Sequence, residues 1–353
     1  MSVFVIGYYV FLIGASCLAA VFKQRQIFLP LFSLTLLSFV LGIVGGVPAL
    51  RFVAIAAAIL VLAGATAYAF REFLVIIAPE GLSKELRTAP LTAAFGLFVI
   101  FTYAIAAIFA PWIAPFGQSE VVSSAFAPAD GQMLLGADQL GRDLFSRVIY
   151  GARNSVGLAL VATVLAFVMG ALAGLLAAVR AGWLDQLLGR IADVIMSVPS
   201  LILALLMLSI FGTELWVIVL VVAVIYSPRV FRLTRAVAGG IVVMDYVEAA
   251  RLRGEGTWYL IRREVLPNST APLIAEFGLE FCFVFLLIAG LSFLGLGVQP
   301  PTAEWGSMVR ENATLISFGE IIPLIPAGAI ALLTVGVNFV VDWMLQRSSG
   351  LKE

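Results

Sequence analysis

The chain has 353 residues, 62% apolar and 12% charged, with a mean hydropathy of +1.09; soluble globular chains run about 45–50% apolar and about 25% charged, which excludes an ordinary soluble fold. Histidine is absent and the two cysteines, Cys17 and Cys282, each sit in an apolar run, which removes imidazole chemistry, a zinc cluster and a disulfide framework. The 21 basic and 21 acidic residues cancel, so no net field attracts nucleic acid, and charge acts only through its placement along the chain.

In chain order, apolar stretches cover residues 3–22, 27–47, 52–70, 91–113, 156–179, 194–211, 215 to about 231, 273–298 and 321–345. Each approaches or exceeds the roughly 20 residues that a helix needs to cross the hydrocarbon core. They are continuous rather than alternating, which selects helices over a barrel. The expected fold is an all-α integral membrane protein with about nine transmembrane helices. The first stretch lacks a basic n-region, and Gly14-Ala15-Ser16 before Cys17 is a poor lipoprotein cleavage site, so it is expected to be retained. The fifth carries Gly170 and Gly174 at small-xxx-small spacing; this permits close helix packing, although chance produces the same pattern in a chain this rich in Gly and Ala. Pro228 and Arg229 interrupt the seventh.

Residues 229–270 hold Arg229, Arg232, Arg235, Arg251, Arg253, Arg262 and Arg263, and the positive-inside rule assigns so basic a loop to the cytoplasm. Counting spans outward from it puts residues 71–90 at the cytoplasmic interface, with Lys23, Arg25 and the 346–353 tail on the same side. Residues 114–155 and 299–320, where acids outnumber bases, then face outward. The N-terminus is expected outside and the C-terminus in the cytoplasm.

Within the basic loop, Asp245 and Glu248 have capping-box spacing and predict a short helix over 246–253. That helix sets Ala249 and Ala250 beside Arg251 and Arg253, and Gly254 supplies a left-handed stop. Trp258, Tyr259 and Ile261 open a second amphipathic piece that is expected to end near Pro267. A patch of alanines ringed by arginines suits docking into a protein groove, and the same composition suits a helix resting on anionic headgroups.

Spacing separates these two readings. Glu248-Ala249-Ala250, then Gly254, then Leu266-Pro267 resembles the EAA signature by which permease subunits of ABC importers engage their ATPases. Two further stretches are similar to the dipeptide/oligopeptide/nickel permease family. One runs from Leu135 through Asp138, Arg142 and Asp143 to Ser146-Arg147 and Tyr150-Gly151-Ala152-Arg153; the other from Leu291-Ser292-Phe293 to Gln299-Pro300-Pro301 and Glu304-Trp305-Gly306. The resemblance covers residues 91–345 and implies a type I importer permease core in the last six spans, with residues 229–270 as coupling loop. It also implies a second homologous permease subunit, two ATPase subunits that hold ATP and Mg, and an extracytoplasmic substrate-binding protein, all in a bacterial inner membrane. ATPase coupling would fall to Asp245, Glu248, Ala249, Ala250, Arg251, Arg253, Gly254, Leu266 and Pro267. The chain departs from the family at residues 1–70, where three additional spans precede the core, and at Ile288, where members often carry an acid.

No Gly-x-x-x-x-Gly-Lys-Ser/Thr run is present, so the chain has no phosphate-cradling loop of its own and is not itself expected to be an enzyme. Glu276 and Glu280, four residues apart near the cytoplasmic end of the eighth span, are read either as partners of Arg262 or Arg263 or as lining of a translocation path. Asn338 is expected to make an interhelical hydrogen bond or, failing that, to line the path; Arg190 and Asp193 are expected to mark an interface. A self-contained secondary transporter is the rival reading, but it calls for two similar halves and a midplane ion relay, neither of which the sequence displays. Peptides, nickel or metal chelates, and opines all fall within the cargo that the resemblance implies.

Overall fold

The computed structural model describes residues 48–318 and 320–348, with side chains from residue 58. The expected spans at 3–22 and 27–47 lie outside the described residues. The chain divides into two units, Met1–Glu72 and Phe73–Glu353. Helix α1 spans Pro48–Ile77.

The second unit opens with α2 (Glu80–Thr88), an amphipathic helix, and α3 (Leu91–Ile113), an apolar one. After a loop, α4 (Leu144–Gly151) passes through a π segment at Ala152–Val156 into α5 (Gly157–Arg180), giving one span of 37 residues. A pair of shorter helices follows, α6 (Gly182–Met196) and α7 (Ser200–Phe211), then α8 (Leu215–Val242) and the short α9 (Asp245–Leu252). A second 37-residue span is made by α10 (Thr257–Tyr259), a π segment at Leu260–Val265, and α11 (Leu266–Phe293). The chain closes with α12 (Trp305–Asn312), a 3-10 turn at Ala313–Phe318, and α13 (Leu324–Ser348).

Among the described residues six helices are long and apolar enough to cross a membrane, or seven if α6 and α7 count as one broken span. That pair corrects the expectation of a single straight span at 194–211: its axes are bent by 88°. The cause is Pro199, which donates no N–H and pushes Val198 out of the helical region. The seventh span errs in the other direction, because α8 passes straight through Pro228 to Val242. The carbonyl of Val224 that Pro228 cannot bond accepts a hydrogen bond from the hydroxyl of Ser227 at 3.1 Å instead. The segment expected to end near Pro267 likewise does not end there. Pro267 sits in the first turn of α11, where a missing N–H is tolerated, directly after the wide π turn.

α5 and α8 make the most extensive helix–helix contact, and Gly170 and Gly174 are the reason. A Cβ on Gly174 would come within 2.8 Å of the Phe231 carbonyl and of Thr234, and one on Gly170 would collide with Val230 and the backbone at Ser227. Their spacing is therefore structural, not accidental. Gly96 and Gly336 play the same part between α3 and α13. The main core, built from Ala159, Ala162 and Ala166 of α5, Ile218 and Val222 of α8, Phe285 and Leu291 of α11 and Leu333 of α13, fills the space between these close-set helices. Ile288 is part of it.

Candidate functional site

The two 37-residue spans are about 55 Å long, enough to carry distinct features at opposite ends of the bundle. At one end lies α9. Its first helical residue is Asp245, its N-cap is Met244, and no side-chain cap bond is made. The expected capping box is therefore absent: Asp245 sits one position too far into the helix for its carboxylate to reach the first-turn N–H groups. Asp245 and Glu248 still favour the helix start through its dipole. The C-terminus closes as a Schellman turn, in which the N–H of Glu255 donates to the Ala250 carbonyl at 3.2 Å, that of Gly254 donates to Arg251 at 2.9 Å, and Gly254 adopts φ +85°.

Val247 and Ala250 point inward and pack with Leu260, Val179 and Ile241, while Arg251 donates to the Val179 carbonyl at 3.3 Å. The expected pair of alanines is thus split between two faces. Ala250 anchors the helix, whereas Ala249 lies exposed with Glu248, Arg251, Leu252 and Arg253. Leu252 is 84% exposed, and Met244, Tyr246, Trp258 and Leu266 add further exposed apolar surface at the same end. Pro267 is exposed as well. Arg232 and Arg235 are not loop residues. They project from the last turns of α8 and pair with Asp193 and Asp185 of α6, so Asp193 braces two helices rather than simply marking a boundary.

At the opposite end the two family-like stretches lock together. Asp138 accepts from the backbone N–H groups of Leu140 and Arg142 and from Arg142 Nε at 2.7 Å, and it also faces Arg147 Nε at 3.2 Å. Both arginines reach Glu311, Arg142 at 2.7 Å and Arg147 at 3.3 Å. All four side chains are buried. Asp143 caps α4 by accepting from the Ser146 N–H at 2.8 Å. Trp305 lies against Gly151, where a Cβ would meet its ring at 2.5 Å, and its indole N–H donates to the Val148 carbonyl at 3.0 Å. Glu304, fully buried, caps α12 through the Ser307 N–H at 2.8 Å and accepts from the Ser155 hydroxyl at 3.1 Å. Burial holds its carboxyl above the usual glutamate range despite these donors. Glu311 was not visible to sequence reasoning. The only signal for it was that two arginines beside Asp138 leave a buried positive charge that needs a second acid.

Between the ends, among the described residues, neither Glu276 nor Glu280 pairs with Arg262 or Arg263, which corrects one of the two expectations for them. The charge that acts on both is Arg229 of α8. Asn338 donates to the Thr334 carbonyl of its own helix at 3.0 Å, not across to another. The structure therefore gathers Asp245 to Gly254 at one end and leaves Glu276 and Glu280 within the span.

The profile of the family described as "Binding-protein-dependent transport system inner membrane component" matches residues 166–349. The chain is 39% identical over 254 residues to the di/tripeptide transport system permease protein DppC of Pseudomonas aeruginosa, covering 70% of this chain and 84% of that one. It is 34% identical over 258 residues to the probable D,D-dipeptide transport system permease protein DdpC of Escherichia coli, covering 73% and 86%. A solved structure of the MetNI methionine ABC transporter in an inward-facing conformation aligns with a TM-score of 0.48 at 17% identity, over 57% of this chain and 95% of that one.

Proposed function

The chain belongs to the binding-protein-dependent transport system inner membrane component family, and on that premise we propose that it forms one permease half of a peptide importer driven by ATP hydrolysis on separate subunits. The observation that carries the coupling step is α9, a short helix anchored from beneath by Val247 and Ala250, with Glu248, Ala249, Arg251, Leu252 and Arg253 exposed on its outer face. Rigid anchoring lets a push on the outer face reach α5, α8 and the π segment before α11 as one body movement. A floppy loop would absorb the same push.

In this reading the α9 end faces the cytoplasm, where two ATPase subunits grip it with Leu266 and Pro267 nearby. The Arg142–Glu311 end faces outward and receives a substrate-binding protein. A second, homologous permease chain completes the pathway in a bacterial inner membrane. The chain carries no nucleotide itself. Cargo passes between the two permease chains, along a path on which Glu276 and Glu280 are the candidate contacts. Short peptides are the cargo carried by the name of the di/tripeptide relative.

The test is a pair of variants in the complete importer. Gly254→Pro places a residue fixed near φ −65° where the backbone needs φ +85°, and Glu248→Arg inverts an exposed charge on α9. Both are expected to leave the chain in the membrane and to abolish peptide-stimulated ATP hydrolysis. Undiminished stimulation and uptake in both would remove α9 from the mechanism.

A further inference from the structure

Arg229 lies 14 residues, about 21 Å, along α8 from Leu215, and Glu280 lies 13 residues, about 20 Å, along α11 from Phe293. Leu215 and Phe293 belong to the same end of the bundle, so both groups sit at a similar depth, each within an apolar span. Arg229 is exposed on the flank of the chain. Its guanidinium is folded over two aromatic faces, 4.8 Å from the Phe283 ring centroid and 5.4 Å from that of Tyr226. No carboxylate of the described residues pairs with it. Glu276, half-buried, lies one turn from Glu280. Glu280 is 2% exposed, and its Oε2 has no hydrogen-bond partner.

A guanidinium held open against acyl chains at this depth is strongly disfavoured, and Arg229 does not stretch toward the interface. The flank it occupies therefore faces water, a polar solute or the second permease chain rather than acyl chains. Around it stand one cation with unused planar donors, two carboxylates and two rings. The cation suits bidentate contact with a carboxylate. The carboxyl oxygens of the two acids can accept from an ammonium. We propose that Arg229, Glu276 and Glu280, flanked by Tyr226 and Phe283, form a transit site that reads solutes bearing both an ammonium and a carboxylate, the two termini of a short unblocked peptide. This rests on the peptide-import reading above and adds to it which chemical groups are read within the membrane.

The test uses the complete importer in proteoliposomes, with Cys17→Ala and Cys282→Ala as background. Phe283→Cys, at an exposed ring beside Arg229 and with Arg229 kept, is expected to react with the charged reagent sulfonatoethyl methanethiosulfonate. Saturating dialanine should slow that reaction about five-fold or more, and N-acetyl-dialanine amide, which has the same backbone and neither charge, should not. Arg229→Gln is expected to lower dialanine uptake about ten-fold, the loss of one charge-assisted contact, with part recovered in Arg229→Lys. An unreactive cysteine, equal protection by the blocked peptide, or wild-type uptake in Arg229→Gln would each overturn the site. An importer that carries no dialanine yet shows selective protection would instead overturn the peptide-import reading and leave the site standing.

Discussion

Arg142 reaches across 169 residues to Glu311, its terminal nitrogen 2.7 Å from Oε2, while its Nε stays 2.7 Å from Asp138. One guanidinium thereby ties the loop before α4 to the end of α12. With all of these groups almost fully buried, removing Arg142 leaves Asp138 and Glu311 to share the single charge of Arg147. Arg142→Ala is expected to cost about 3–5 kcal/mol, and a double-mutant cycle with Glu311→Gln should return a coupling energy of at least about 1 kcal/mol. Additive losses in thermal unfolding would show that the two ends of this contact are independent.

Glu304 supplies a pH test. A carboxyl raised by burial binds its proton more tightly in the folded state than in the unfolded one. Its contribution to stability is therefore full below the ordinary glutamate value of about 4.3 and is lost as pH rises through the raised value. Wild-type protein is expected to lose thermal stability with rising pH over that window, and Glu304→Gln to flatten the slope. An identical slope in the variant would place the titration elsewhere. Glu304→Ala, which also deletes the α12 cap, is expected to cost about 2 kcal/mol at low pH and less as pH rises.

The two faces of α9 should respond differently to the same substitution. Val247 is fully buried against Leu260, Val179 and Ile241, so Val247→Asp is expected to unseat the helix and lower thermal stability by about 3 kcal/mol. Leu252→Asp changes an exposed residue and should leave unfolding within about 0.5 kcal/mol of wild type, while weakening co-purification of the ATPase subunits. Full recovery of those subunits with Leu252→Asp would remove the apolar part of the contact.

Gly174→Val adds atoms where a Cβ alone would already stand 2.8 Å from the Phe231 carbonyl. Forcing α5 from α8 is expected to cost about 1–3 kcal/mol or more, read as a lower midpoint in detergent. Gly189→Ala, in open space on α6, is the control and should be neutral or slightly stabilising.

Hydropathy made the positions of the described spans legible in advance, because backbone polar groups in lipid leave helices as the economical solution. What it missed were local events that apolarity does not encode. Pro199 breaks a helix while Pro228 does not; at Pro228 the Ser227 hydroxyl donates to the freed Val224 carbonyl. Asp245 and Glu248 had the right spacing for a cap, yet a one-residue offset in the helix start left the carboxylate without its bond. Arg229 looked like an interruption because a sequence cannot show which ring it will lie across. Glu311 was invisible because its partners are 164 and 169 residues away. The helix over 246–253, by contrast, could be read almost to the residue, since Gly254 ends it by a backbone requirement that operates locally.

The wide turns at Ala152–Val156 and Leu260–Val265 each amount to a spare residue held inside an otherwise regular rod. Deleting one residue elsewhere in α5 or α11 would rotate everything beyond it by about 100° and scramble which side chains meet. Deleting one inside either turn can be absorbed by tightening to ordinary α geometry. The chain thus carries two adjustable joints, one toward each end of the bundle, where helix phase can be reset without rebuilding the interior.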